Sequence, residues 1–338
     1  HHRKWHPLNQ GFTHFEGHYN GAIDFFALSR EGERDWHVGL EPSDKQGYST
    51  DLIGDAAAAF IRESAKDDAP YFCYIPWNAP HSPFQAHQKD IARYAKGKKA
   101  TALEIYKAMV WSMDQGIGKV LKAIDESGEA DNTQVWFFSD NGGVGKFKSN
   151  NVPLRGSKLT TFEGGTRVAA CVRWPTAWKG GRKIKSHIGY IDVLPTVLAC
   201  AGIDPEAGEV AGRALDGVDV SGVLAGDGVL APRDWYSYHG QNSIGDERIS
   251  IHSGEWKLQV RGPDVRGGLT KQHQVNLFKL SNDLSEEHNL AGGHPEIVQR
   301  LFEKLVAYRS LQPADAITHY SVGKQGFTPW KAWRIGRE

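Results

Sequence analysis

Four residues combine side-chain types and settings suited to chemistry at a metal ion or an anion. Asp140 and Asn141 stand directly behind the apolar run Val135-Trp136-Phe137-Phe138 and ahead of Gly142-Gly143. Two oxygen-bearing side chains followed by flexible glycines suit such a site, because ligands of open α/β sheets collect beyond the carboxyl ends of strands. Lys158 comes close behind, followed by the paired glycines Gly164-Gly165. His81 sits in Pro80-His81-Ser82-Pro83, a stiff loop that suits a residue required to hold its position. Each feature also has a plainer reading. Asn-Gly is a strong hairpin dipeptide, an Asp at a strand end caps a following helix, and an isolated loop His or Lys is ordinarily solvated.

Positioning these residues requires a scaffold of strands and helices. The Val135 run follows the polar turn Asp131-Asn132 and reads as a strand buried on both faces of a parallel sheet. Tyr71-Phe72-Cys73-Tyr74-Ile75 is a second run of strand length, ending in the loop that carries His81. Between the two, Ile105, Met109, Met113, Ile117, Val120, Leu121 and Ile124 keep to one helical face until Gly128 supplies a stop, so a right-handed βαβ crossover is expected, with both methionines in the core. Thr50 and Asp51 are expected to cap an earlier helix containing Ile53, Ala56, Ala57, Phe60 and Ile61.

Val168 to Val172 reads as a further strand, and Asp192 opens a short helix as a cap or as the partner of a nearby base. Beyond about Pro232 the segments Trp235 to Tyr238, Arg248 to Ile251, Trp256 to Val260 and Val275 to Leu280 alternate in the manner of antiparallel strands, before a helix from Glu296 to Arg309. The expected class is therefore α/β: a mostly parallel sheet flanked by helices over residues 1–230, a small antiparallel α+β subdomain over 231–310, and a tail over 311–338 with no clear period.

Composition narrows the function. Lys plus Arg and Asp plus Glu number 40 each, so nothing points to a nucleic-acid clamp, which requires a clustered basic surface. Eleven tryptophans favour sugar stacking only slightly, since core packing accounts for most of them. Cys73, Cys171 and Cys200 lie in or beside apolar sequence and are expected as buried small hydrophobes, not as a disulfide framework or a zinc site. No apolar run approaches the roughly 20 residues that span a bilayer.

The run Ser139-Asp140-Asn141-Gly142-Gly143, followed by Leu154-Arg155-Gly156-Ser157-Lys158 and Phe162-Glu163-Gly164-Gly165-Thr166-Arg167, resembles the sulfatase family, with Ser157 in place of a usual glycine. Pro7 to Phe12, Gly21 to Phe26, Ala79 to Phe84, Asp192 to Thr196 and the Glu286 to Leu290 turn resemble further segments of that family, so the resemblance covers nearly the whole chain. Lys4-Trp5-His6 looks like another family motif but stands too close to Pro7, and is read as a coincidence.

The resemblance implies an alkaline phosphatase-like fold and hydrolysis of sulfate esters, with a sulfated small molecule or glycan as substrate; charge balance and run length add the expectation of no nucleic acid partner and no membrane span. It implies that Asp140 and Asn141 are Ca²⁺ ligands, that Lys158 binds the sulfate, and that His81 contacts the ester. Arg155 and Arg167 are expected to brace the loops, and His187 is given no role.

The family's remaining metal ligands and its formylglycine, made from the Cys or Ser of a C/S-x-P-x-R motif, have no counterpart here, because no cysteine is followed by x-Pro-x-Arg. The chain, which does not open on Met, is therefore expected to be the C-terminal portion of an exported sulfatase, periplasmic or secreted, and to be poorly stable and inactive alone. The alternatives are a silent sulfatase-like glycan binder, or a phosphodiesterase or phosphonate hydrolase of the same superfamily.

Overall fold

The computed structural model describes residues 3–147, 151–204, 212, 214–240, 245–313 and 326–334. The chain divides into two compact units, His1–Thr133 with Gly326–Glu338, and Gln134–Gln325.

In the first unit, short ladders β1 (Glu16–Gly17), β4 (His37–Val38) and β5 (Glu41–Pro42) form one sheet, and β2 (Ser29–Arg30) pairs with β3 (Glu33–Arg34). Three helices follow: α1 (Ser49–Ser64), α2 (Gln88–Ala95) and α3 (Ala102–Glu126). Helix α3 starts at a reciprocal capping box, in which Thr101 Oγ1 accepts from the Glu104 N–H at 3.3 Å and Glu104 Oε2 accepts from the Thr101 N–H at 2.7 Å. Its buried face carries Ala108, Met109, Ser112, Gly116, Val120, Ala123 and Ile124; of the expected stripe Met109, Val120 and Ile124 are buried, while Ile105, Met113, Ile117 and Leu121 are only half-buried, because small residues let the helix pack closely along the neighbouring line. Phe25, Tyr48, Ala79, Ala86, Ala108 and Met109 make one core cluster, with Met113 packed against it. Each large apolar side chain so buried contributes about 1.5–3 kcal/mol. Trp333 closes the unit by donating its indole N–H to the Arg30 carbonyl at 2.9 Å.

Two expectations are corrected here. Helix α1 begins at Ser49 behind Tyr48 with no side-chain cap, and Asp51 lies inside its first turn, accepting from His87 Nε2 at 2.8 Å. Residues 71–75 are extended but belong to no ladder among the described residues, and Phe72 and Tyr74 are more than half exposed. The βαβ crossover expected from 71–75 through α3 is therefore not seen among these residues.

In the second unit, β6 (Val135–Phe138) pairs with β7 (Ala170–Arg173), with Val135 opposite Arg173 and Phe138 opposite Ala170. This pairing is antiparallel, as is every ladder among the described residues, and Phe137 and Phe138 are 36% and 39% exposed. The expected strand is thus present, but its burial in a parallel sheet is not. Among the described residues the strand has one antiparallel neighbour, and its two Phe rings are only partly covered.

Short helices α4 (Glu163–Thr166), α5 (Val193–Cys200) and α6 (Ser221–Ala225) come next. They are followed by a meander of β8 (Trp235–His239), β9 (Glu247–Ser253), β10 (Trp256–Gly262) and β11 (Gln274–Lys279), ordered β11-β10-β9-β8, and then by α7 (Pro295–Ser310). This is the expected antiparallel sheet with its helix. One face of the sheet presents Ile249, Ile251, Leu258, Val260 and Leu277 to Leu301, Phe302 and Leu305 of α7. Side chains alternate across a strand, so Ser250, Lys257 and Gln259 point the other way, yet they too are buried.

The three cysteines are free. Cys171 is exposed, contrary to the expected burial, because it lies on the uncovered strand β7, while Cys73 and Cys200 are half-buried. No described helix is long and apolar enough to cross a membrane.

Candidate active site

Strand β6 delivers Asp140 and Asn141 just beyond its last residue. The ladder continues one step further through the Ser139 N–H to the Ala169 carbonyl at 3.2 Å, after which the Ser139 hydroxyl donates to the Asn141 carbonyl at 2.9 Å. Gly142 N–H then donates to the Gly165 carbonyl at 3.0 Å. Contact here is so close that a Cβ on Gly142 would lie 1.8 Å from the Gly164 carbonyl oxygen, and one on Gly165 would lie 2.2 Å from the Thr160 carbonyl oxygen. The paired glycines of the two segments are therefore a packing requirement, with backbone laid against backbone.

Lys158 is tied to the same place. Its N–H donates to the Gly143 carbonyl at 3.0 Å, so the residue starts three positions beyond Asp140 on an adjoining strip of backbone. Asn151, which sequence reasoning missed, clamps both strips. Its Oδ1 accepts from Gly143 N–H at 2.8 Å, and its amide donates to the carbonyls of Gly143 at 3.2 Å and Gly156 at 3.1 Å. No period or motif singled it out. Asp140, Asn141 and Lys158 are thus brought to one loop cluster, and no described residue hydrogen-bonds to the carboxylate, the amide or the ammonium.

The Glu163 segment rests on the polar face of the meander. Lys257 Nζ lies 2.8 Å from Glu163 Oε1 and 3.0 Å from Glu286 Oε1, Glu286 Oε2 accepts from the Glu163 N–H at 2.7 Å, and the Gln259 amide donates to Thr161 Oγ1 at 2.9 Å. Burial pushes the Glu163 carboxyl up, but Lys257, His252 and Arg167 outweigh it and leave it below its ordinary range. Burial pushes Glu286 above that range, with Lys257 offsetting only part. Arg155 donates to the Glu286 carbonyl at 2.7 Å and lies over the Phe162 ring, and Arg167 sits 3.8 Å from Glu163, so both arginines brace loops. Asp192 is a structural partner: Arg233 grips its two oxygens at 2.6 Å each, while the Gly189 and Val218 N–H groups donate to it at 2.9 and 3.0 Å. His187 packs edge-on against His252, with ring centres 4.2 Å apart.

His81 belongs to the first unit. Its N–H donates to the Asn78 carbonyl at 2.8 Å, and its Nδ1 lies 2.8 Å from the Ser82 carbonyl. A carbonyl only accepts, so Nδ1 carries the hydrogen and the exposed Nε2 of the neutral ring is left as an acceptor. Behind the loop, the Trp77 ring fills the space between α1 and α3 that Gly54 and Gly116 leave open. A Cβ on Gly116 would lie 2.5 Å from that ring. Ahead of the loop, Gln85 accepts from the Phe25 N–H at 2.8 Å and donates to Asp24 at 2.7 Å. His6 is buried, accepts from the Leu8 N–H at 3.1 Å and packs edge-on against Phe15 and Tyr19.

Two hard oxygen donors at one strand end fit part of the shell of an oxygen-preferring cation, which takes about six to eight oxygens. Among the described residues no cluster of three His, Cys, Asp or Glu completes such a shell.

Residues 2–203 match the family model named Sulfatase. A protein named "Sulfatase" from Formosa agariphila is 31% identical over 290 residues, covering 79% of this chain and 49% of its own length. Human N-acetylgalactosamine-6-sulfatase is 29% identical over 307 residues, covering 85% of this chain and 56% of its own. The chain thus spans about half the length of the curated relatives it matches. Among solved structures, that of Ps i-CgsB in complex with k-i-k-neocarrahexaose superposes with a TM-score of 0.82 at 24% identity, over 96% of this chain and 72% of that one, which establishes the fold. With the family model matching well over half of these residues, the chain belongs to the sulfatase family.

Proposed function

We propose that the chain forms part of a sulfuric ester hydrolase that releases sulfate from a sulfated carbohydrate, with working roles for His81, Lys158, Asp140 and Asn141. The observation that carries this reading is the 3.0 Å bond from Lys158 N–H to the Gly143 carbonyl, which holds a cationic residue beside the strand end bearing Asp140 and Asn141. A sulfate ester is an anion whose hydrolysis gathers charge on its oxygens, so cationic groups held in advance lower the barrier. Lys158 would supply one such charge to a non-bridging oxygen.

Asp140 and Asn141 would contribute two oxygens to a Ca²⁺ ion, which when bound polarises the sulfate oxygens. With Nδ1 bonded to the Ser82 carbonyl, Nε2 is the ring atom that would meet the ester oxygen, and a proton taken up there from solvent would pass to the departing alkoxide. The nucleophile of this reading is a formylglycine in a C/S-x-P-x-R segment of the natural polypeptide outside these 338 residues. A relative named for an amino-sugar sulfate and a fold neighbour crystallised with an oligosaccharide support the carbohydrate assignment. A polymeric substrate of that kind places the enzyme in the periplasm or outside the cell.

The test is turnover by the protein its gene encodes, assayed on an aryl sulfate, an aryl phosphate and a phosphonate ester. Sulfate release is expected to dominate, to disappear on chelation and return with Ca²⁺, and to fall about 10²–10³-fold in Lys158→Ala and in His81→Ala. Faster release of phosphate or phosphonate, or glycan binding with no turnover at all, would overturn it.

A further inference from the structure

An open groove of about 350 Å³ runs along α2 and α3 in the first unit, lined by Tyr94, Tyr106, Lys107, Val110, Trp111 and Asp114. None of these residues belongs to the proposed hydrolytic site. Three aromatic side chains line one shallow surface, and the Arg93 guanidinium lies over the Trp111 ring, 4.5 Å from its centre. Val110, between them, is 37% exposed.

The surrounding sequence is strongly basic in a chain whose net charge is zero. Residues 88–107 carry Lys89, Arg93, Lys96, Lys98, Lys99 and Lys107 against Asp90 and Glu104. Both carboxylates are already engaged: buried Asp90 accepts from the Ser112 hydroxyl at 3.2 Å and lies 3.6 Å from Arg93, and Glu104 completes the cap of α3. Six cations against two carboxylates still leave this stretch with a formal charge of +4.

We propose that this groove is a second, non-catalytic binding surface for sulfated polysaccharide. Sugar rings lay their C–H faces on Tyr94 and Tyr106, while Trp111, stacked against Arg93, holds that cation in place. Lys107 and Arg93 meet the sulfates, and the Asp114 carboxylate accepts hydrogen bonds from ring hydroxyls. Nucleic acid shares the taste for cations and aromatic faces, but a carboxylate inside the groove repels a continuous phosphate backbone, while a sugar uses it.

The experiment is affinity electrophoresis of the gene-encoded protein carrying Lys158→Ala, so that the proposed hydrolytic site contributes little. It is run through native gels containing chondroitin sulfate, unsulfated chondroitin or a dT oligonucleotide. Retardation by chondroitin sulfate alone is expected, weakening with salt and losing about fivefold in affinity in Trp111→Ala and in Lys107→Glu, a change at an exposed position. Circular dichroism checks that each variant is folded, and Lys107→Glu in the otherwise natural protein should leave turnover of a soluble aryl sulfate unchanged. The proposal is overturned by equal retardation with unsulfated chondroitin or dT, by retardation that survives both substitutions, or by none at all, as a groove filled by other protein would give.

Discussion

The ammonium of Lys257 lies 2.8 Å from Oε1 of Glu163, inside the protein, with the two residues 94 positions apart. This contact fastens the Glu-Gly-Gly segment, and through it the Gly142 and Lys158 backbones, to the C-terminal sheet. Removing one partner strands buried charge: Lys257 is only 2% exposed, and Glu163 and Glu286 would be left facing each other. Lys257→Ala should cost about 3–5 kcal/mol of stability. Denaturant titration of wild type and variant measures it, and a loss below about 1 kcal/mol would show that the contact is solvated and weak, as surface pairs are.

Acid should unfold the protein in a window set by His252. Burial, and then the neighbouring His187, push its pKa down to about 4 from 6.5, with Lys257 adding to this and Glu163 and Gly254 opposing. The folded ring stays neutral while the unfolded ring takes up a proton, so the unfolded state binds more protons between those values. Stability is therefore full above pH 6.5 and falls as the pH drops toward 4. His252→Gln should flatten this limb in melting temperatures taken across that range; an unchanged slope would assign it to other groups.

Asp192 and Arg233 form the second internal anchor, and its geometry makes a sharper demand. The carboxylate is fully buried and receives both prongs of the guanidinium. Lys cannot reproduce a two-pronged grip. Arg233→Lys should therefore lose stability, and Asp192→Ala should lose more, about 3–5 kcal/mol. Equal stability of Arg233→Lys and wild type in urea would refute the fork as the source.

Two glycines should respond to alanine in opposite directions. At Gly142 the added Cβ meets the Gly164 carbonyl at 1.8 Å, so Gly142→Ala must push the two site loops apart, at a cost of about 3 kcal/mol or more, and sulfate release should fall with it. At Gly118, exposed within α3, the same change meets nothing within 4 Å and should stabilise by about 0.5–1 kcal/mol. Thermal unfolding of the two variants checks both signs at once.

Local pattern determined a good deal of this protein. The helix from Ala102 to Glu126 with its capping box at Thr101, the alternation from Trp235 to Leu280, and the strand end at Asp140 all depend on periods and caps that neighbouring residues set among themselves. Tertiary structure decided what those periods leave open. A four-residue apolar run such as Val135 to Phe138 states neither the direction of its partner nor its depth, and here β7 runs against it with Phe137 partly exposed and Cys171 exposed. Nor could spacing disclose that Asn151 clamps Gly143 or that Lys257 meets Glu163. A hydrogen bond or ion pair between distant positions leaves no period in the sequence, and arises only when burial brings the two backbones together.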